Sequence, residues 1–282
     1  MDDIPVYKGK RKNILVLSGG GVKGLAVLGT LKKLMELEVL STPDIYCGTS
    51  VGGVICFLLM IGYTPENIFE ITSSLDYTLL VDYNDNLLED STVGMMTSDP
   101  FIFIIKTMLK KKNYSCKITF KELYNIIKKK LIITGVCLNN LSITYFSHET
   151  TPDTPVLTAL RITMSIPFIF KPVHYDNKLW VDGACLNNYP IDIFDDKLED
   201  VIGIYMEDEY KFIEDFEDKI SYSLQVIKCI FKSMNYQKKK TYDKYTLLLK
   251  LDFEGSLFEM DIMNKQKLFN SGYNLNCDKF LF

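Results

Sequence analysis

Over the first third of the chain, hydrophobic residues come in short bursts separated by glycine-rich turns. Residues 13–21, "NILVLSGGG", form an aliphatic run ending in three glycines, the pattern of a buried strand passing into a tight turn. In residues 25–40, "LAVLGTLKKLMELEVL", Leu28, Leu31, Leu34 and Met35 recur at helical spacing, which predicts an amphipathic helix. "PDIYCGTS" (43–50) reads as a second strand and "VGGVICFLLMIG" (51–62) as a second helix, with Thr64-Pro65 opening another. Strand and helix alternating at this pitch predict an α/β fold with a mostly parallel sheet.

Residues 75–130 are less regular. "KLIITGVCLNNLSITYFS" (130–147) predicts two strands joined at Asn139-Asn140, and "TALRITMSIPFIFKPV" (158–173) a helix broken at Pro167. "KLWVDG" (178–183) predicts a strand ending in Asp-Gly, "DVIGIYM" (200–206) a further strand and "SYSLQVIKCIFKSM" (221–234) a further helix. The Lys triplets at 110–112, 128–130 and 238–240 read as solvated helix ends. No repeat or linker divides the chain, so one domain over 13–282 with an N-terminal extension, 1–12, is expected.

Composition narrows the classes. With 282 residues, 47% hydrophobic and 24% charged, the chain has enough apolar material for one large core. A net charge of −4 gives no basic stripe, so nucleic acid is not an expected partner. The opening "MDDIPVYKGKRKN" lacks the apolar segment of a signal peptide, and no apolar run has the length of a membrane span. Seven cysteines without a C-x-x-C pair read as free thiols. A cytoplasmic location, or one peripheral to intracellular membranes, is expected.

Three small motifs carry candidate chemistry. Gly19, Gly20, Gly21 and Gly24 in "GGGVKG" follow a strand and precede a helix, a setting for backbone N–H groups that hold a pyrophosphate or an oxyanion. Gly48, Ser50 and Gly52 spell G-x-S-x-G, the spacing of a nucleophile elbow, although Ser50 could equally be a helix N-cap. Asp182-Gly183-Ala184 ends an apolar run; alone it is a turn, but with the other two it completes a set of donors, nucleophile and carboxylate at strand ends.

In this order, "GGGVKG", "GTSVGG" with "GYTPENI", "TFKEL", "SIPFIFKP" and "VDGACLNNYP" resemble the patatin-like phospholipases, acyl hydrolases that use a Ser–Asp dyad. The resemblance extends to "KLFNSGYN" near the C-terminus. It implies a three-layer sandwich, a mostly parallel sheet with helices on both faces. It also implies Ser50 as nucleophile, Asp182 as general base and Gly19, Gly20 and Gly21 as the oxyanion loop. Ser18 departs from the Asp that many members carry before the glycines.

The two histidines, His148 and His174, both precede Asp182, against the Ser, acid, His order of an α/β-hydrolase triad. His174 reads as a structural strand or hairpin residue and His148 as a loop residue. The expected activity is hydrolysis of glycerophospholipid acyl esters through an acyl-enzyme, with no metal or cofactor and no need for calcium. Three alternatives stay open: a triacylglycerol or general ester hydrolase with the same dyad, a nucleotide-binding oxidoreductase built on "GGGVKG", and an inactive lipid-binding module. Residues 101–112, "FIFIIKTMLKKK", read either as a segment for transient membrane contact or as a core helix with a charged end.

Overall fold

A computed structural model of the protein describes residues 12–76, 96–208, 215, 219–251 and 260–281. The expected N-terminal extension, apart from Lys12, and part of the irregular middle lie outside the described residues. Strand β1 (Lys12–Leu17) leads through a 3-10 turn at Gly21–Lys23 into α1 (Gly24–Glu36). Then follow β2 (Leu40–Gly48), α2 (Val51–Met60), α3 (Pro65–Ser73), α4 (Asp99–Lys111), α5 (Phe120–Ile127) and the hairpin β3 (Lys130–Cys137) and β4 (Ser142–Phe146). Next come α6 (Val156–Thr163), the hairpin β5 (Val173–Tyr175) and β6 (Lys178–Asp182), and the one-turn α7 (Ala184–Asn187). The C-terminal part comprises β7 (Val201–Asp208), α8 (Lys219–Thr241), β8 (Thr246–Leu251) and α9 (Ile262–Tyr273).

One sheet of 8 strands joins these elements in the order β5-β6-β3-β2-β1-β7-β8, with β4 beside β3. Strands β3, β2, β1, β7 and β8 are mutually parallel, and β4, β5 and β6 run against β3 or each other. β1 is buried on both faces, which is why it reads as continuous aliphatics rather than an alternating pattern. Leu15 and Leu17 enter the large core formed with α1, α2 and α9, whereas Ile14 and Val16 enter a smaller cluster with Tyr189, Phe194 and Tyr242.

The register of β3 decides where the motifs meet. Ile133 lies opposite both Gly48 of β2 and Phe146 of β4, so those two strands occupy opposite edges of β3. Gly135 lies opposite both Asp182 of β6 and Thr144 of β4. β2 and β6 therefore share one edge, approaching from opposite directions. Their carboxyl ends face each other across Thr134.

Several local expectations change. α6 ends at Thr163, ahead of Pro167, and the following residues turn toward β5. The irregular middle contains α4 and α5, the latter opened by a capping box between Thr119 and Glu122. The Lys triplets are only partly solvated. Lys112 Nζ donates to Gly62 O at 2.7 Å, Lys129 Nζ to Pro43 O at 2.6 Å, and Lys238 Nζ to Asn187 Oδ1 and Asp192 Oδ1, each at 2.7 Å. Short side-chain acceptors and the carbonyls of a turn and a strand nearby capture these amines.

Candidate active site

Ser50 occupies the turn from β2 into α2 at φ 55 and ψ −132, a conformation rare for a residue with a side chain. The turn is crowded. A Cβ on Gly48 would lie 2.4 Å from the carbonyl carbon of Gly52, and one on Gly52 would lie 2.5 Å from the carbonyl oxygen of Ser18. Small residues at both positions thus let β2, α2 and the glycine loop close on one another. Ser50 stands in the N-cap position but makes no side-chain capping bond, so its hydroxyl is not spent on the helix. Its N–H donates to Thr163 Oγ1 at 2.8 Å.

Asp182, at the end of β6, is 1% exposed. Its Oδ1 accepts the N–H of Ala184 at 2.8 Å, while Oδ2 has no hydrogen-bond partner. Burial pushes this carboxyl up to about 7, opposed by the Ala184 N–H and by the Ser50 hydroxyl. The hydroxyl is therefore close enough to favour the charged form, although it does not complete a hydrogen bond to Oδ2; resting sites often show such loose geometry. Gly183 follows because a Cβ there would lie 2.0 Å from Thr134 Oγ1. Beneath the pair, Thr134 Oγ1 donates to Thr49 Oγ1 at 2.8 Å, and Thr49 Oγ1 donates to Asn187 O at 3.1 Å.

The glycine loop packs over the same spot. A Cβ on Gly19 would lie 3.1 Å from Ser50 Cβ and 2.4 Å from Asn188 Oδ1, and one on Gly20 would strike the Met206 side chain. Gly21 has φ 56, and a Cβ on Gly24, at the start of α1, would lie 2.6 Å from Val51 Cγ2. Ser18 anchors the loop to β7: its Oγ accepts the Met206 N–H at 2.9 Å and donates to Gly19 O at 3.1 Å. The three glycines are not equivalent. The Gly19 N–H already donates to Asn188 O at 3.1 Å, so it is not free to meet an oxyanion. Among the described residues, the N–H groups of Gly20, Gly21 and Val51 have no acceptor. Val51 was missed in the sequence, although a nucleophile elbow draws one donor from the residue after the nucleophile.

An apolar cavity of about 180 Å³ opens at Ser50 and Gly21. Val51, Val54 and Leu58 of α2 form one wall; Phe101, Ile104 and Met108 of α4 form another. The segment 101–112 thus contributes its inner face to this cavity, while Phe103 on the outer face is 70% exposed. His174 is exposed on the β5–β6 hairpin, and His148 stacks on Tyr124 at 3.6 Å between ring centroids. Neither histidine bonds to Ser50 or Asp182 among the described residues. No group of three His, Cys, Asp or Glu side chains is arranged to hold a metal ion among the described residues. None of the described helices is long and apolar enough to cross a membrane.

A strand-end serine and a carboxylate thus lie together beside a glycine loop and an apolar cavity in an α/β fold. The family model for patatin-like phospholipases matches residues 15–195, and the chain belongs to that family of lipid hydrolases. Over 191 residues it is 39% identical to the probable lipid hydrolase 463L of Invertebrate iridescent virus 6, covering 66% of this chain and 64% of that protein. It is 30% identical over 276 residues to protein R571 of Acanthamoeba polyphaga mimivirus, covering 92% and 90%. Triacylglycerol lipase 4 of Saccharomyces cerevisiae is 27% identical over 219 residues, 64% of this chain but 23% of the yeast protein. VipD from Legionella pneumophila shares the fold, with a TM-score of 0.62, 16% identity and coverage of 96% of this chain and 67% of that one. This membership removes the ground for reading "GGGVKG" as a dinucleotide turn.

Proposed function

We propose that the protein hydrolyses acyl esters of glycerophospholipids, as a phospholipase A or lysophospholipase, through a Ser50–Asp182 dyad. The observation that carries this reading is the head-to-head approach of β2 and β6 on one edge of β3, at the mouth of an apolar cavity. Ser50 Oγ attacks the ester carbonyl carbon while Asp182 takes its proton. Oδ2, buried and unpaired, is the oxygen suited to receive it. The N–H groups of Gly20, Gly21 and Val51 meet the oxyanion, each such donor being worth roughly 2.7–4 kcal/mol. Asp182 then protonates the departing alcohol, leaving the acyl group on Ser50 and its chain in the cavity. Water attacks the acyl-enzyme with Asp182 again as base.

Every step uses groups of this chain, so the reaction is expected to run without calcium or a cofactor. Contact with lipid is proposed to be transient and peripheral, supported by exposed Phe103, Lys106 and Lys110 on one face of α4. A second reading, triacylglycerol hydrolysis with the same dyad, draws on the similarity to the yeast lipase. Product analysis on phosphatidylcholine, lysophosphatidylcholine and trioleoylglycerol, with and without chelator, separates the two. Fatty acid release from the phospholipids, unchanged by chelator, is the expected outcome. Release from trioleoylglycerol alone would move the assignment to the second reading.

A further inference from the structure

Residues 163–166 alternate between two neighbours. Thr163, the last residue of α6 and fully buried, accepts the Ser50 N–H on Oγ1 at 2.8 Å. Two residues on, the Ser165 carbonyl accepts the Asp182 N–H at 3.0 Å. Between and after them, Met164 and Ile166 line the apolar cavity. One short segment therefore grips the main chain of both dyad residues and also forms part of the acyl site.

The grip matters most at Ser50. A non-glycine residue at φ 55, ψ −132 persists only where its surroundings over-determine it. The bond to Thr163 is the side-chain hydrogen bond that meets the Ser50 main chain. The holding segment is itself braced: Ser165 Oγ donates to Arg161 O at 2.8 Å, and Arg161 pairs with Asp99 of α4 at 2.5 Å. α4 forms the facing wall of the cavity.

We propose that Thr163 is a positioning residue for the nucleophile, holding the Ser50 main chain so that its Oγ stays aligned with Asp182 and with the free N–H groups. This inference rests on the Ser50–Asp182 reading. Thr163 touches no reacting atom. Because Met164 and Ile166 stay in place when only its hydroxyl is removed, its loss acts on the reactivity of Ser50 and not on the acyl site.

Thr163→Val removes the acceptor with little change of shape. Its kcat on p-nitrophenyl butyrate is expected to fall about tenfold, with KM within about twofold of wild type. The rate of labelling by a fluorophosphonate falls in step. Thr163→Ser restores the acceptor and returns kcat to within about threefold of wild type. Should the Val variant fail to fold, Thr163→Ala, which leaves room for a water to accept the N–H, carries the same prediction with a smaller fall. Wild-type kcat in the Val or Ala variant, a loss confined to KM, or equal losses in the Ser and Val variants would overturn the inference. Ser50→Ala separates the two levels. An active Ser50→Ala protein defeats the dyad reading, whereas an inactive one beside a fully active Thr163→Val protein defeats this inference alone.

Discussion

Ser50 and Thr119 are both hydroxyl residues in the N-cap position of a helix, α2 and α5, and they are used differently. Thr119 has extended backbone (φ −86, ψ 165), accepts the Glu122 N–H at 3.2 Å and has its own N–H bound by Glu122 Oε2 at 2.9 Å. Ser50 has φ 55, makes no capping bond and is 5% exposed beside a buried carboxylate. The first arrangement satisfies the free N–H groups of a helix start. The second leaves Val51 N–H and one hydroxyl without such duties, at a cost of about 1–3 kcal/mol in backbone strain. Ser98, the N-cap of α4, also makes no side-chain capping bond but has φ −83. Ser50 is set apart by the withheld hydroxyl together with its positive φ beside a buried carboxylate. Exchanging roles between Ser50 and Thr119 is the way to break the comparison.

The largest effect is expected on turnover. Asp182→Asn keeps the shape but cannot accept the Ser50 proton, so kcat should fall about a thousandfold in an ester hydrolysis assay. Ser50→Ala should be equally inactive, yet its melting temperature should stay close to wild type because no capping bond is lost. Rate against pH comes next. Asp182 acts as base only when ionised, and with its carboxyl pushed up to about 7, kcat/KM should rise through about pH 7 and level off above it.

Stability should run the other way. The folded protein holds the Asp182 proton to higher pH than the unfolded chain, so this group lowers stability as pH rises from about 4 toward about 7. Asp182→Asn should therefore melt above wild type at pH 8, with the gap closing at pH 4, as read by thermal denaturation. The smallest effect belongs to the control helix. Thr119→Ala should cost about 1 kcal/mol, roughly 2–4 °C in melting temperature, with activity unchanged.

The motifs were legible because their chemistry is local. Glycines around Ser50 and after Asp182 are demanded by contacts within a few residues of each motif or across one strand, and G-x-S-x-G and D-G-A state that demand directly. That Ser50 and Asp182 meet was implied by the family resemblance and not by local pattern, since it depends on β3 pairing with β2 and β6 along one edge. Thr163 likewise carries no local signature: a threonine at a helix end looks the same whether or not it holds a strand end 113 positions away. The capping box at Thr119 and Glu122 is written in the sequence as T-x-x-E within "TFKEL", a local signal of a helix start. The engagement of Gly19 with Asn188 could not be read either, because it follows from where α7 packs.

The central claim is that Ser50 is the nucleophile and that Asp182 activates it. Reaction with a fluorophosphonate at pH 8, followed by peptide mass mapping, tests it most directly. The adduct should lie on Ser50 in the wild-type protein, disappear in Ser50→Ala and form far more slowly in Asp182→Asn. An adduct on another residue, or equal labelling of the wild-type and Ser50→Ala proteins, would contradict it.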